Sequence, residues 1–282
     1  MVGVLGVSAS AILVRFSQAP SGVTAAYRLG WTVLLLLPVV LLRCRAELRR
    51  VTARDLVLCG ASGVLLALHF LTWFESLKRT SVASSTVLVS TEVIFTALGF
   101  ALFLHGKIPR LGVWAILLAF GGSALLAFSG GGGAGELSGN LLALAAASAA
   151  AVYTLIGRIQ RGHLSTTVYT FLTYLACFLT LLLGTAAAGA PLPGYGGREW
   201  LIGLALAVLC TLLGHSLFSW CLKYLSPSYV SAAKLCEPVF SSLAAIPLFG
   251  EVPGPLQLAG GAAVLGAVLL YTWAEREKTP AG

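Results

Sequence analysis

Charged side chains are scarce in this sequence. Asp, Glu, Lys and Arg together make up 10% of its 282 residues, whereas hydrophobic residues make up 58%. In soluble globular domains about a quarter of the residues are charged, so this composition excludes that class. It predicts an all-α, polytopic membrane protein whose main partner is the lipid bilayer.

Motifs of the common catalytic classes are also missing. The chain has no His-Glu-x-x-His motif of zinc proteases and no Gly-x-x-x-x-Gly-Lys-Ser loop that cradles nucleotide phosphates. The run Gly60-Ala61-Ser62-Gly63 lacks the spacing of a nucleophile elbow, and a serine beside glycines in a membrane helix favours close helix packing. We therefore predict no enzymatic activity and no cofactor, with an ion gradient as the energy source for any transport.

Neither the cysteines nor the basic residues form a recognisable site. Six cysteines are scattered along the chain without a Cys-x-x-Cys pair or metal-ligand spacing, so we interpret them as packing residues and predict no metal. The formal net charge of +8 would suit nucleic-acid binding, but the basic residues lie at the ends of hydrophobic segments rather than in one patch. We predict no nucleic-acid partner.

Hydrophobic segments follow one another along the whole chain. A membrane helix needs about 20 apolar residues, and on this measure the sequence predicts ten transmembrane helices. Their predicted ranges are 2–16, 23–42, 56–77, 82–104, 111–128, 141–159, 166–188, 201–222, 229–249 and 256–273.

The basic residues indicate how these helices are oriented, because cytoplasmic connections carry an excess of Lys and Arg. With a cytoplasmic N-terminus, the inside segments hold twelve of them: Arg43, Arg45, Arg49, Arg50, Arg54, Lys107, Arg110, Arg158, Arg161, Lys223, Arg276 and Lys278. The outside connections then hold four: Arg15, Lys78, Arg79 and Arg198. Both termini are predicted to be cytoplasmic. The first segment has no basic region before it, so we interpret it as a retained helix rather than a signal peptide.

An internal repeat relates the two halves of the chain. An offset of 145 positions pairs Glu92 with Glu237 and Lys78 with Lys223. A glycine-rich run separates the fifth and sixth helices, and because five is odd the second half would enter the membrane from the opposite side. The sequence thus predicts two inverted five-helix repeats. The predicted boundaries are 1–129 for the first repeat, 130–138 for the linker, 139–275 for the second repeat and 276–282 for a cytoplasmic tail.

Ionisable residues within the predicted spans are the first candidates for a site. A carboxylate near the bilayer centre costs roughly 2.5 to 3.5 kcal/mol, so Glu92 and Glu237 in matching places indicate a polar path. Lys234 can pair with Glu237 three residues away or with Glu92 across the bundle. Such a pair either only holds helices together or contacts substrate and takes up a proton. Pro238 is expected to loosen the helix around Lys234.

One face of the fourth predicted helix carries small and polar residues. Its members, at the helical spacing of a single face, are Ser85, Glu92, Thr96 and Gly99. We expect this face to point inward.

Aromatic and further basic residues extend this candidate substrate-binding site. His69 in the third helix matches His215 in the eighth with one residue of slippage from the main offset, and Trp73 and Trp220 follow them in the two segments. Each histidine would serve either as an interhelical hydrogen-bonding residue or as a proton relay or substrate contact. The tryptophans would line a cavity or pack in the core. Arg28 lies near the start of the second helix, where we expect it to extend to the outer interface rather than to bind an anion.

Several stretches together resemble the drug/metabolite transporter superfamily, and within it the EamA-type ten-helix exporters. They are residues 10–15, 26–29, 73–84, 214–224, 237–239, 250–251 and 256–261. The resemblance covers nearly the whole chain. It implies a central cavity between helices three, four, eight and nine, and export of small metabolites. The first half departs from the family pattern, because Val93 replaces a proline and residues 105–107 lack the glutamate present at Glu251.

From these observations we predict a secondary transporter of the bacterial cytoplasmic membrane that exports small polar metabolites by alternating access. A cavity with one fixed cation and two carboxylates suits a zwitterion such as an amino acid, with Lys234 meeting its carboxylate. Protons are the candidate coupling ion. The alternatives are a facilitative carrier or channel without ion coupling, and a scaffolding or lipid-active protein whose charges only hold helices together.

Overall fold

The computed structural model describes residues 2–103, 108–128, 134–225, 227, 230, 234 and 236–276, and all regular secondary structure within them is helical. The helices are α1 (Val2–Phe16), α2 (Ser21–Arg43), α3 (Arg45–Leu48), α4 (Ala53–Arg79), α5 (Val82–Val89), α6 (Glu92–Phe103), α7 (Arg110–Phe128), α8 (Ala134–Gln160), α9 (Thr166–Ala187), α10 (Gly197–Ala205), a π-helix (Leu206–His215), α11 (Ser216–Cys221), α12 (Cys236–Phe249) and α13 (Pro255–Arg276).

Many of these helical segments are apolar enough to lie in a membrane. Among the described residues, seven are also long enough to cross it: Ser21–Arg43, Ala53–Arg79, Val82–Phe103, Gly135–Gln160, Thr166–Ala187, Gly197–Cys221 and Pro255–Ala274. Three shorter apolar helices accompany them: Gly6–Phe16, Arg110–Leu125 and Glu237–Phe249. The predicted all-α, multi-pass class is confirmed. The count of ten spans stays a prediction, because the three shorter helices fall below the usual length of a span.

The fourth predicted span is interrupted at its centre, between α5 and α6. Ser90 and Thr91 separate the two helices, and their hydroxyls donate to the backbone oxygens of Thr86 at 2.9 Å and Leu88 at 2.6 Å. Such bonds compete with the regular backbone ladder and bend helices. The break therefore forms without the proline that the family pattern has at Val93.

A π-helix occupies the middle of the eighth predicted span. It packs against α1 at very close range, because a Cβ on Gly6 would lie 2.3 Å from the oxygen of Leu209. Only glycine permits this approach. π-Helical stretches are rare and often occur at functional sites, and this one brings Thr211 and His215 to the centre of the bundle.

The ninth predicted span differs from its expected form. Helix α12 begins at Cys236, so Pro238 lies in the first turn, where its missing N–H leaves no helical bond unmade. The expectation that Pro238 loosens the backbone around Lys234 stays a prediction, because most residues of this segment lie outside the described part of the chain. Lys234 lies two residues ahead of α12. Ser231 and the predicted beginning of this span lie outside the described residues.

Helix α8 begins at Ala134, which is inside the stretch 130–138 predicted as a linker. The glycine run itself, residues 129–133, lies outside the described residues, as do residues 104–107 and the predicted tail after Arg276.

Helix packing converges on the centre of the bundle. Helix α4 packs against α8 and α9, while α10 and the π-helix pack against α1 and α2. Helix α2 also packs against α9, α7 against α13, and α12 against α1. The main core includes fully buried Phe70, Phe74, Tyr169 and Tyr174. The elements around this core surround a small polar cavity.

Candidate functional site

A small cavity lies among α1, α2, α4, α6, α8, the π-helix and α12. Its volume is about 40 Å³, which is room for about three water molecules. Its lining is Val7, Ser10, Arg28, Leu66, His69, Trp73, Val89, Ser90, Glu92, Ala150, Tyr153, His215, Lys234 and Glu237. Six of the seven residues predicted as a substrate site are among them: Glu92, Lys234, Glu237, His69, Trp73 and His215.

Glu92 and Lys234 form a buried ion pair at this cavity. The ammonium nitrogen of Lys234 lies 3.0 Å from Oε1 and 2.9 Å from Oε2 of Glu92. Only 16% of the Lys234 side chain and 6% of the Glu92 side chain are exposed. Thr154 on α8 donates a further hydrogen bond of 2.9 Å to Glu92 Oε1. Of the two pairings that the sequence allowed for Lys234, the structure therefore has the one across the bundle.

The break between α5 and α6 positions Glu92. It makes Glu92 the first residue of α6, where the backbone N–H groups and the helix dipole favour a negative charge. Thr96 and Gly99, one and two turns further along α6, are buried on the same side, as their spacing predicted. The sequence of this segment thus aims the carboxylate inward.

Glu237 faces the same cavity from the first turn of α12. In the described part of the chain its carboxylate has no hydrogen-bond or ion-pair partner, in contrast to Glu92. The two acidic residues of the repeat therefore differ: Glu92 pairs with Lys234, whereas Glu237 has no such partner among the described residues.

The two histidines meet across the cavity. Their ring centroids are 6.3 Å apart, and the His69 ring also stacks on Trp73 at 5.8 Å. Nδ1 of His69 lies 3.0 Å from the backbone oxygen of Ala146 on α8, as expected for an interhelical hydrogen bond. The His215 ring packs against Phe70. The indole nitrogen of Trp73 is buried without a hydrogen-bond acceptor in the described structure.

Trp220 does not lie in this cavity. Half of its side chain is exposed, and its ring packs 5.0 Å from that of Tyr224. The preceding residue, Ser219, is buried and lies 3.2 Å from the hydroxyl of Tyr153. Because each residue turns a helix by about 100°, an inward Ser219 directs Trp220 outward. The structure thus separates Trp220 from the other predicted site residues.

Arg28 is a cavity residue that the sequence interpretation placed wrongly. It was expected at the outer interface, yet its side chain is completely buried. Nε donates to Thr211 Oγ1 at 2.7 Å and Nη1 to Ser10 Oγ at 3.1 Å. Helix α2 begins at Ser21, and at 1.5 Å per residue Arg28 lies about 10 Å inside it. A predicted helix that began at Ser21 instead of residue 23 would have placed Arg28 deeper in the membrane and so could have indicated its burial.

No metal site accompanies these residues. Among the described side chains, no three of His, Cys, Asp or Glu converge in a way that could hold a metal ion. Cys59, Cys177 and Cys210 are free and buried, whereas the side chain of Cys236 lies outside the described structure.

Comparison with protein families identifies the class to which this architecture belongs. The model of the EamA-like transporter family matches residues 1–128 and 137–273. This chain belongs to the EamA-like transporter family. Its two matched regions correspond to two copies of one family unit within a single chain, and the relatives below are exporters rather than enzymes.

Two curated relatives are similar along most of their length. The pseudopaline exporter CntI of Pseudomonas aeruginosa is 24% identical over 207 residues, which are 73% of this chain and 72% of the relative. A probable terminal-alkyne amino-acid exporter of Streptantibioticus cattleyicolor is 27% identical over 230 residues, 79% of this chain and 75% of the relative. A solved crystal structure at 18% identity matches 97% of this chain and 95% of its own with a TM-score of 0.69. This last likeness shows a shared fold.

In this EamA-like protein, a second set of polar contacts ties helix ends together on the side predicted to face outward. Arg15 at the end of α1 pairs with Glu251, which also accepts a hydrogen bond of 2.7 Å from the backbone N–H of Val82. Gly250 precedes it with a φ of 68°, a conformation that favours glycine.

Glu199 accepts bonds from Ser17 Oγ at 2.5 Å and from the N–H of Gln18 at 3.0 Å. The sequence pointed to Glu251 only through the family resemblance, and to Glu199 not at all.

The opposite end of the bundle has its own contact between the two halves. Asp55 in the first turn of α4 lies 2.7 Å from Nε2 of His163 and 3.1 Å from Nε2 of Gln160. Glu47 accepts a hydrogen bond of 2.6 Å from the N–H of Ser165. Polar contacts therefore join the first and second halves at both ends of the central cavity.

Proposed function

We propose that this protein is a secondary transporter that exports small polar metabolites, with the cavity around Glu92, Lys234 and Glu237 as its solute site. The observation that carries this proposal is the meeting of charged groups from both halves of the chain in one buried cavity. Ionisable residues in a membrane are rare and usually mark a solute or proton path. His69, Trp73 and His215 complete the proposed site.

We further propose that the two halves are inverted repeats, residues 1–129 and 139–275 joined by the linker 130–138. The helix contacts support this. In this relation α4 corresponds to α10 and the π-helix, while α8 and α9 correspond to α1 and α2. The packing of α4 against α8 and α9 therefore has its counterpart in the packing of α10 and the π-helix against α1 and α2. The contacts of α2 with α9 and of α7 with α13 are their own counterparts. A twofold relation of this kind is the arrangement from which many secondary transporters are built.

We propose alternating access as the transport mechanism, because a transporter with a cavity of this size has to open in order to admit a solute. A volume of about 40 Å³ holds a few water molecules but no metabolite. The proposed cycle therefore requires the two repeats to move apart at one end and then at the other. The contacts of Arg15 with Glu251 and of Asp55 with His163 lie at these two ends and are the groups that such movements would separate.

The small cavity also favours the alternative of a scaffold in which the charges only hold helices together. That role predicts that no solute enters and that replacing both members of the Glu92–Lys234 pair leaves every activity intact. A facilitative carrier without ion coupling is the remaining alternative, and it predicts transport that is indifferent to a proton gradient.

The proposed solute class is zwitterionic, amino acids included, because the cavity presents both signs of charge. The relative from Streptantibioticus cattleyicolor, a probable terminal-alkyne amino-acid exporter, is consistent with this class. Protons are the proposed coupling ion. We place the protein in the bacterial cytoplasmic membrane with both termini in the cytoplasm, on the basis of its basic residues.

Export can be measured directly with the full-length protein in liposomes. Vesicles would be loaded with a mixture of amino acids and other small metabolites, and release would be followed by mass spectrometry with and without an imposed pH gradient. Gradient-dependent release of particular solutes, absent from protein-free vesicles, is the expected result. Release unaffected by the gradient would favour the facilitative carrier, and no release of any solute would contradict the proposed function.

A further inference from the structure

Arg28 is a buried cation whose hydrogen bonds, among the described residues, go to neutral groups. Its side chain has no exposed surface, and its Nε and Nη1 atoms donate to the hydroxyls of Thr211 and Ser10. The guanidinium lies 4.2 Å from the centre of the Phe70 ring. Nη2 has no hydrogen-bond acceptor within the described structure. A donor on a charged group is thus held at the cavity without an acceptor.

Such an arrangement is energetically unfavourable unless an anion completes it. Burying an unpaired charge carries a penalty of several kcal/mol, and hydroxyl groups and an aromatic face compensate for only part of it. The Glu92 carboxylate is bound to Lys234, so it is already neutralised. Glu237 lines the same cavity but makes no hydrogen bond to Arg28 in the described structure. The guanidinium and the Glu237 carboxylate are therefore two unsatisfied groups of opposite sign.

We propose that Arg28, rather than Lys234, binds the anionic group of the solute, and that Glu237 binds its cationic group. The inference rests on the proposed transport function and specifies its site. It assigns the cavity to a zwitterion with a carboxylate and an ammonium group. Arg28 supplies a positive charge and the free Nη2 amino group, which suit a carboxylate. Trp73, whose indole N–H has no acceptor in the described structure, lines the same cavity.

Three separate elements hold the guanidinium in place for this role. Arg28 comes from α2, Ser10 from α1 and Thr211 from the π-helix. With Nε and Nη1 occupied, the free Nη2 is the donor left for a ligand. Thr211 is therefore a positioning residue, because its hydroxyl orients Arg28 without itself contacting the solute in this scheme.

The assignment can be tested with three small probes that separate the two charges. Purified full-length protein would be titrated calorimetrically with acetate, methylammonium and glycine. We expect Arg28→Gln to weaken acetate and glycine binding at least tenfold and to leave methylammonium binding within twofold of wild type. Glu237→Gln should weaken methylammonium and glycine binding at least tenfold and spare acetate.

Matched variants keep the test independent of folding. Arg158→Gln removes an arginine that donates to the backbone oxygen of Leu222 outside the cavity, and it should bind all three probes as the wild type does. If Arg28→Gln does not fold, Arg28→Lys and Thr211→Val test the same point, since both keep the charge and disturb its orientation. Both should weaken acetate binding and leave methylammonium binding unchanged.

Several results would overturn the assignment. Acetate and glycine binding unchanged in the folded Arg28 variants would do so, and so would wild-type protein that binds none of the three probes. The loaded-vesicle assay distinguishes these failures from failure of the proposed function. Gradient-dependent release by wild type and Arg28 variants alike would leave transport intact and refute the assignment of Arg28, whereas no release by wild type would refute transport itself.

Discussion

The ammonium nitrogen of Lys234 lies within 3.0 Å of both carboxylate oxygens of Glu92, although the two residues are 142 positions apart in the chain. The pair joins the beginning of α6 to the segment ahead of α12 and so links the two halves of the protein. Because both side chains are almost completely buried, each charge depends on the other for compensation. Substituting one member of the pair or both therefore distinguishes experimentally between a structural and a functional role of these charges.

We expect either single substitution, Glu92→Gln or Lys234→Met, to destabilise the folded protein by about 3–5 kcal/mol, because each leaves the other charge buried and unpaired. The double variant should recover most of this loss. Chemical unfolding in detergent micelles measures the free-energy differences. Glu75→Gln is the matched control: Glu75 pairs with Arg79 at the surface, where removing a charge has an effect of about 1 kcal/mol or less. Single variants as stable as this control would show that the pair is not coupled.

Two glycines one helical turn apart on α4 should differ in how substitution by alanine affects the stability of the protein. A Cβ on Gly63 would lie 2.6 Å from the backbone oxygen of Thr173 on α9, whereas nothing lies within 4 Å of one on Gly60. We expect Gly63→Ala to destabilise the protein by about 1–3 kcal/mol through overpacking, and Gly60→Ala to leave stability unchanged or raise it by up to about 1 kcal/mol. Thermal unfolding of the purified variants checks both. Equal effects would argue against close packing of α4 on α9.

Glu251 should slow hydrogen exchange of the backbone at the beginning of α5. Its carboxylate accepts from the N–H of Val82 and pairs with Arg15, so Glu251→Ala removes a charge-assisted hydrogen bond. We expect the amide of Val82 to exchange with solvent on the order of tenfold faster, measured by hydrogen–deuterium exchange and mass spectrometry. Glu199→Ala serves as the control, since it should affect Gln18 instead. Unchanged exchange at Val82 would show that this contact does not hold the helix end.

The proposed orientation makes opposite predictions for two connections. Alkaline phosphatase inserted at Gly194, between α9 and α10, should be active because that connection is expected outside the cytoplasm. The same enzyme inserted at Arg49, after α3, should be inactive because the basic residues around it are expected inside. Activity in bacterial cells measures both insertions, and the reverse pattern would invert the topology.

Much of the fold follows from local sequence properties. Hydrophobic runs located the helical segments, and spacing along α6 correctly directed Glu92, Thr96 and Gly99 inward, because both signals depend only on residues close in sequence. The break before Glu92 has a local cause in Ser90 and Thr91, whose hydroxyls bond the preceding turn. Hydropathy predicts one continuous helix for this segment, because it does not reflect hydrogen bonds from these hydroxyls.

Features that depend on distant segments were harder to predict. The surroundings of Arg28 come from Ser10 on α1 and Thr211 on the π-helix, and hydropathy gives no sign of a π-helix. Trp220 was grouped with the site by its match to Trp73, but the inward position of Ser219 turns it outward. With the one residue of slippage that pairs His69 with His215, Trp73 corresponds to Ser219, so the inward position is kept in both halves and Trp220 lies beside it.

The central claim is that the charges of the cavity take part in moving solute. Its most direct test compares pH-gradient-driven release from loaded proteoliposomes for wild type, Glu92→Gln, Lys234→Met, the double variant and Glu75→Gln, each reconstituted at equal density. We predict that wild type and Glu75→Gln release solute, and that the double variant stays at least tenfold slower even though its stability recovers. Release by the double variant at the wild-type rate would contradict the claim and leave the Glu92–Lys234 pair a purely structural role.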